Sequence, residues 1–287
     1  MRPLPIRNPF PGAVSLLEER LGSTQDEARR LCGPGFPSGS VLAAEEQEGG
    51  RGRFPERRWE SPSGLNLLFT VFLGPESVCL PSGLPLTGLP LRIGAALCST
   101  AEAYARLSGL AFPDPVRLKW PNDLLVGERK IAGILCEAGP HGLLAGVGLN
   151  CNQRLFSPDL AASATSLALE LGAEVDRWRL LELFLEELQS ALADAALAEA
   201  ALGDTAWRPR VEALLWRRGE IAAFSPGREA SKPGLPQDAL AGKIEGIDEE
   251  GSLLFKVEGE TEARAFAAGE LLRAFAGNLL TARPPAL

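Results

Sequence analysis

The sequence predicts an α+β protein in two parts, a larger one in which strands and helices alternate and a small β-barrel after it. Three observations predict this. Short apolar runs closed by Gly, Pro, Asn or Asp recur at Val41–Glu45, Val116–Trp120, Lys130–Glu137 and Leu143–Asn150 and read as strands. Leu91–Leu107 and the Ala/Leu/Glu-rich stretch Asp176–Leu202 read as helices long enough to cover a core. From Glu220 onward the texture changes to short strands, at Ile221–Phe224, Leu240–Ile247, Ser252–Val257 and Glu262–Ala267, with turns at Asp248–Gly251 and Glu258–Glu260.

Composition bounds the function. A chain of 287 residues that is 45% hydrophobic can bury one large core and a second, smaller one. A formal net charge of −8 argues against nucleic acid as the main partner, although a pocket inside an acidic protein can still be basic. The five cysteines (Cys32, Cys79, Cys98, Cys136, Cys151) are odd in number and lack CxxC spacing, which suits reduced thiols in a cytoplasm. Neither a secretory signal nor an apolar run of about 18 residues is expected, so no membrane partner is. The single histidine, His141, sits in a turn-like Gly-Pro-His-Gly setting, and Ser-His-Asp or Cys-His catalysis would have to rest on it alone. Neither a Walker A string nor a GxSxG elbow is present, which argues against P-loop kinases and α/β-hydrolases.

Taken in order, Val14–Leu21 places apolar residues on one helical face, and Gln25–Leu31 forms a helix capped by Ser23 or Thr24 with Asp26 and Glu27 near its positive end. Such a helix start also offers N–H groups and hydroxyls to a small polar ligand. Glu46–Arg58 holds three glycines among several arginines, too breaker-rich for a helix. Either it is an exposed basic loop, or Arg51 and Arg53 present bidentate forks to phosphate and carboxylate oxygens. Gly83–Pro90 is a turn-rich connection to the helix ending at Leu107. Gly146 and Gly148 lie inside a strand, where missing side chains mark a close approach rather than a dinucleotide fingerprint. Ala164–Leu167 precedes a helical pair, and Ser225–Gln237 is a polar loop.

The stretch Val116–Glu137 organises the rest. A strand ends in the corner Pro121-Asn122-Asp123, a second run follows at Leu124–Val126, and Gly127–Arg129 turns into an apolar strand. Lys119, Asn122, Asp123 and Lys130 then converge at one sheet end, or else the lysines are solvated strand ends and the corner an ordinary turn.

Lys119-Trp120-Pro121-Asn122-Asp123 followed by Lys130-Ile131-Ala132-Gly133-Ile134-Leu135 closely resembles the signature of biotin protein ligases. Gln47 to Arg53 resembles their Gln-x-x-Gly-Arg-Gly-Arg biotin and adenylate loop, including Gly52. Ser23-Thr24-Gln25 resembles their Ser-Thr-Asn biotin clamp with Gln25 in place of Asn. Gly146-x-Gly148-x-Asn150 resembles a strand that makes room for biotin or adenylate. After Arg53 the loop departs, since Phe54-Pro55-Glu56-Arg57-Arg58 precedes Trp59 without the family's glycine. Trp59–Val71 resembles the family's next core strand.

The resemblance implies a mixed-sheet catalytic domain of the biotin/lipoate ligase type with helices packed on it, residues 1–218, and an SH3-like barrel, residues 219–287. It implies biotin and ATP as substrates with Mg²⁺, and transfer through biotinyl-5'-AMP to a lysine of a biotin carboxyl carrier protein. Lys130 then contacts the biotin carboxylate and α-phosphate, and Arg51 and Arg53 close over the anhydride. Lys119, Trp120, Asn122, Asp123 and Asn150 surround nucleotide and metal, with Asp123 the candidate Mg²⁺ ligand and base. Ser23, Thr24, Gln25, Gln47, Gly133, Gly146 and Gly148 hold biotin. A homodimer is compatible with the resemblance. About twenty residues precede Ser23, fewer than the roughly 50 of a small DNA-binding domain, so a monofunctional ligase without DNA as partner is expected. A lipoate or octanoate ligase of the same fold, or a non-catalytic biotin-binding regulator, are the alternatives.

Overall fold

The computed structural model describes residues 1–54, 58–78, 88–139, 141–202, 207–226 and 238–272. Among these, eight strands form a first sheet: Arg2–Pro3 (β1), Ser15–Leu21 (β2), Val41–Gln47 (β3), Leu67–Leu73 (β4), Val116–Lys119 (β5), Asp123–Val126 (β6), Arg129–Gly139 (β7) and Gly142–Leu149 (β8). Their spatial order is β1-β2-β3-β4-β8-β7-β6-β5. β2 and β3 run parallel and the remaining neighbours antiparallel, so the sheet is mixed.

Helices Thr24–Leu31 (α1), Pro75–Val78 (α2), Leu89–Leu107 (α3), Pro158–Ala161 (α4), Leu167–Leu171 (α5), Arg177–Leu202 (α6) and Trp207–Leu214 (α7) complete the first part. α6 buries Leu180, Leu181, Phe184, Leu185 and Leu188, a stripe at helical spacing, and Phe184 meets Phe69 of β4 with ring centroids 5.4 Å apart. Every residue of β4 is buried, because helices cover both faces of the sheet there.

That double cover explains one correction. Val14–Leu21 does not form a helix; Ser15–Leu21 is strand β2, paired with both β1 and β3. Leu17 points into the main core, whereas Leu16 and Leu21 pack with α1 residues on the opposite face. Apolar residues on both faces remove the period-2 alternation and mimic a helical stripe. A second refinement concerns β7, which is fully buried only at Ile131, Ala132 and Ile134; its remaining residues are half-buried or exposed, as on a cavity wall.

After α7 come Ile221–Ser225 (β9), Leu240–Ile247 (β10), Leu253–Val257 (β11), Arg264–Phe266 (β12) and Glu270–Leu272 (β13), an antiparallel sheet ordered β12-β11-β10-β9-β13. β13 has no counterpart in the sequence reading, since three residues are too short to show a pattern. Phe224 gathers Phe255, Phe266 and Trp120 around it at 5.4, 4.7 and 6.1 Å, and Trp120 Nε1 donates to Gly251 O at 3.0 Å. The second sheet is thereby docked on the end of β5. The 83–87 part of the expected turn, Pro55–Arg57 and the 227–237 part of the polar loop lie outside the described residues. Among the described residues no helix is long and apolar enough to cross a membrane.

Candidate active site

A cavity of about 660 Å³ opens between the start of α1, the loop after β3, the β5–β6 corner, the facing strands β7 and β8, and β13. All sixteen residues singled out from the sequence line it: Ser23, Thr24, Gln25, Gln47, Arg51, Gly52, Arg53, Lys119, Trp120, Asn122, Asp123, Lys130, Gly133, Gly146, Gly148 and Asn150.

One end is neutral and closely hydrogen-bonded. Ser23 caps α1, its Oγ accepting from Gln25 N at 3.2 Å and Asp26 N at 3.5 Å, which leaves its O–H to point elsewhere. Thr24 donates from its backbone N–H and its hydroxyl to Gln47 Oε1, at 2.7 and 3.1 Å, and receives Thr70 Oγ1 at 2.9 Å. With Gln47 Oε1 doubly occupied, its NH₂ is the group left for a ligand. Gln25 is the reverse case: its Nε2 donates to Leu135 O at 3.1 Å and Leu144 O at 3.4 Å, so its Oε1 is the free end, an acceptor. Donors and an acceptor therefore sit side by side in a buried pocket.

The strand glycines line the cavity and also lie against two protein side chains. A Cβ on Gly146 would lie 1.9 Å from Gln25 Oε1, and one on Gly148 would lie 2.4 Å from Trp59 Cε2. Gly133 is the cross-strand partner of Gly148, and its own Cβ would stand 3.2 Å from Trp59 Cζ3. The glycines make room for two protein side chains, and the Trp59 indole lies on the floor that Gly133 and Gly148 provide. Trp59 was assigned to a core strand from the sequence. The structure makes it a wall of the cavity, with a buried Nε1 that finds no acceptor among the described residues. Its signal was an indole separated from a Gly/Arg loop by a few residues, but only strand pairing shows the two glycines beneath it.

The other end is charged. Lys130 Nζ stands 2.7 Å from Asp123 Oδ1 and 5.5 Å from the Trp59 ring. Lys119 is 4% exposed, with its Nζ 3.9 Å from Glu270 Oε1 and 6.0 Å from the Trp216 ring. Arg51 contacts Asp26 at 2.6 Å and Glu137 at 3.7 Å, and Glu137 is also held by Arg29 at 2.6 Å. Arg53 donates to Gly269 O at 2.6 Å and stacks over Phe54 at 4.6 Å. Asn122 Nδ2 donates to Ile134 O at 2.7 Å and Asn150 Nδ2 to Thr165 O at 3.0 Å, which fixes both carboxamides and leaves their oxygens as acceptors. Trp120 borders the cavity, but its indole N–H is engaged by Gly251 O. β13 supplies Glu270, Leu271 and Leu272, a contribution from the second sheet absent from the sequence reading.

The arrangement suits an anion beside the basic residues and a small polar group with both a donor and an acceptor beside Ser23, Gln25 and Gln47. It does not suit a covalent nucleophile. Burial pushes the Cys98 and Cys151 thiols up to about 12, so they stay protonated, and His141 does not line the cavity. Among the described residues no group of three or more His, Cys, Asp or Glu side chains is placed to hold a metal ion.

Residues 19–153 match the model of the biotin/lipoate A/B protein ligase family. The biotin–[acetyl-CoA-carboxylase] ligase of Paracoccus denitrificans is 32% identical over 250 residues, covering 83% of this chain and 92% of its own. The bifunctional ligase/repressor BirA of Bacillus subtilis is 28% identical over 252 residues, 85% of this chain and 70% of that protein. Among solved structures, the biotin protein ligase from Aquifex aeolicus in complex with biotin and ATP superposes with a TM-score of 0.70 at 25% identity, covering 90% of this chain and 97% of that one.

Proposed function

The chain belongs to the biotin protein ligases of the biotin/lipoate A/B protein ligase family, and from that premise we propose how its cavity activates biotin with ATP and passes it to a protein lysine. The observation that carries the proposal is convergence: Arg51 and Arg53 from the loop after β3, Lys119 at the β5 end and Lys130 on β7 border one cavity that the neutral cluster of Ser23, Gln25 and Gln47 also lines.

A ureido ring presents one carbonyl and two N–H groups. Ser23 O–H and the Gln47 NH₂ are complementary to the carbonyl, and Gln25 Oε1 to an N–H. The carboxylate at the far end of biotin then reaches Lys130. Carboxylate oxygen attacks the α-phosphorus of ATP, the bond to pyrophosphate breaks, and biotinyl-5'-AMP forms. Both reactants are anions, so the step requires cations at the point of contact; Lys130 serves the carboxylate and α-phosphate, and Arg51 and Arg53 the developing charge. Lys119, Asn122 and Asn150 hold the nucleotide, and Trp59 offers an aromatic face to it.

Mg²⁺ normally keeps waters and phosphate oxygens and takes only one or two carboxylates; Asp123 fits as such a single ligand for an ion arriving with ATP, where it would neutralise phosphate charge. In the second step the acceptor ε-amine attacks the acyl carbon, loses its proton to Asp123, 2.7 Å from Lys130 Nζ, and AMP leaves. We assign the acceptor lysine to a biotin carboxyl carrier protein, residues 1–218 to catalysis, and residues 219–287 to an SH3-like barrel that closes the cavity through β13.

Incubation with biotin, α-labelled ATP and Mg²⁺ tests the reading. Biotinyl-5'-AMP and pyrophosphate should appear together, and lipoic or octanoic acid should not substitute. Binding of biotin without pyrophosphate release would make the protein a sensor instead.

A further inference from the structure

Lys130 is bonded on one side by a segment outside the regular strands. Its N–H donates to Ser163 O and its carbonyl accepts from Thr165 N, both at 2.9 Å, a parallel bridge centred on Ala164. The same segment continues along the end of β8, where Leu167 N donates to Asn150 O at 3.0 Å and Ala168 N to Cys151 O at 2.8 Å. Thr165 is the crossing point, because its carbonyl also receives Asn150 Nδ2 at 3.0 Å. One peptide unit on each side of Thr165 thus touches a different residue of the charged end of the cavity.

Thr165 is held in turn. It is fully buried, and its Oγ1 donates to Glu170 Oε1 at 2.5 Å. The Glu170 side chain is 2% exposed and pairs with Arg129, the neighbour of Lys130, at 2.7 Å. A carboxylate this well buried is a poor choice for packing alone, since burial penalises the charge unless it is paired and hydrogen-bonded. Its two partners here are the crossing point and the residue preceding Lys130.

We propose that Glu170 is a positioning residue for the adenylation step: through Thr165 it sets the Asn150 carboxamide and the Lys130 backbone at the nucleotide end of the cavity. The inference rests on the reading of Lys130 and Asn150 given above. Glu170 does not line the cavity. The neutral end, built on α1 and β3, does not depend on it.

The test compares Thr165→Val, which removes the hydroxyl at nearly constant volume, with Glu170→Ala, Glu170→Gln and Lys130→Ala, reading pyrophosphate release, KM for ATP and for biotin, and thermal melting. Thr165→Val and Glu170→Ala should melt as folded proteins and lose about tenfold to a hundredfold in kcat/KM for ATP, the scale of a misplaced group, with KM for biotin unchanged within about twofold. Glu170→Gln keeps an acceptor for Thr165 and should recover most of the loss. Folded Thr165→Val and Glu170→Ala proteins with parental kcat/KM, beside an inactive Lys130→Ala, would overturn the tether alone. So would a KM for biotin that rises as much as the KM for ATP, or a Gln variant no better than Ala. An active Lys130→Ala would instead overturn the reading of the site, and the tether with it.

Discussion

Lys130 Nζ and Asp123 Oδ1 face each other at 2.7 Å across the β6–β7 pairing, with both side chains partly open to the cavity. A partly exposed pair of this kind contributes about 1 kcal/mol or less to stability, so its members can be changed with the fold intact. Lys130→Ala should therefore leave the melting temperature within a few degrees while lowering biotinyl-5'-AMP formation by about a hundredfold or more, as expected for removing a charge that faces the reacting oxygens. Adenylate formation at the parental rate would remove Lys130 from the chemistry.

Arg51 is engaged by Asp26 at the rim, with its side chain 43% exposed and that of Asp26 56% exposed. The pair competes with any anion that Arg51 serves. Asp26→Asn should tighten ATP, lowering its KM by roughly twofold to fivefold, because an exposed pair is worth only a fraction of a kcal/mol to about 1. Raised ionic strength should narrow the difference between the two proteins. A KM that rises on removing Asp26 would mean that the carboxylate aims Arg51 rather than competing for it.

The closed end offers a coupled test. Gly146→Ala brings a methyl to 1.9 Å from Gln25 Oε1, which the buried glutamine cannot evade without losing its bonds to Leu135 O and Leu144 O. Biotin affinity measured by calorimetry should fall by about tenfold or more, the equivalent of 1.4 kcal/mol. The loss in Gly146→Ala combined with Gln25→Ala should be smaller than the sum of the two single losses, since the clash is then gone. Additive losses would show that the two positions do not meet.

Buried thiols set an alkaline limit. The pKa of Cys98 and of Cys151 is raised by burial from 9.0 to about 12, so between those values the unfolded chain releases protons that the folded chain keeps. Stability from these groups is complete below about pH 9 and declines as pH rises toward 12. Urea midpoints of a Cys98→Ala/Cys151→Ala protein should fall less steeply between pH 8.5 and about 10.5 than those of the parent, whatever its absolute stability. Parallel declines would assign the alkaline limit to other groups.

Much of the site was legible because its chemistry is carried by local strings. The Lys119–Asp123 corner needs only a strand end and a proline, and the Ser23 cap only a helix start, both short-range features. β2 was misread because its burial on both faces comes from α1 and the core, partners distant in sequence. Trp59 was misplaced for a similar reason: its neighbours Gly133 and Gly148 are themselves neighbours only through β7–β8 pairing. Gly146 and Gly148 were rightly taken as signs of close approach, but what approaches is Gln25 and Trp59.

The sequence by itself determined the α+β class, the strands around the Lys119–Lys130 stretch, sixteen of the residues that line the cavity and the ligase family they resemble, because residue type and short spacing govern those. Only the tertiary structure decided which atoms of Gln25, Gln47, Asn122 and Asn150 are left for a ligand, that Arg51 is bound to Asp26, that β13 reaches the cavity, and that Glu170 stands behind Lys130 and Asn150. Those facts depend on hydrogen-bond and ion partners far along the chain, and such a partner exists only once the sheet has brought the segments together.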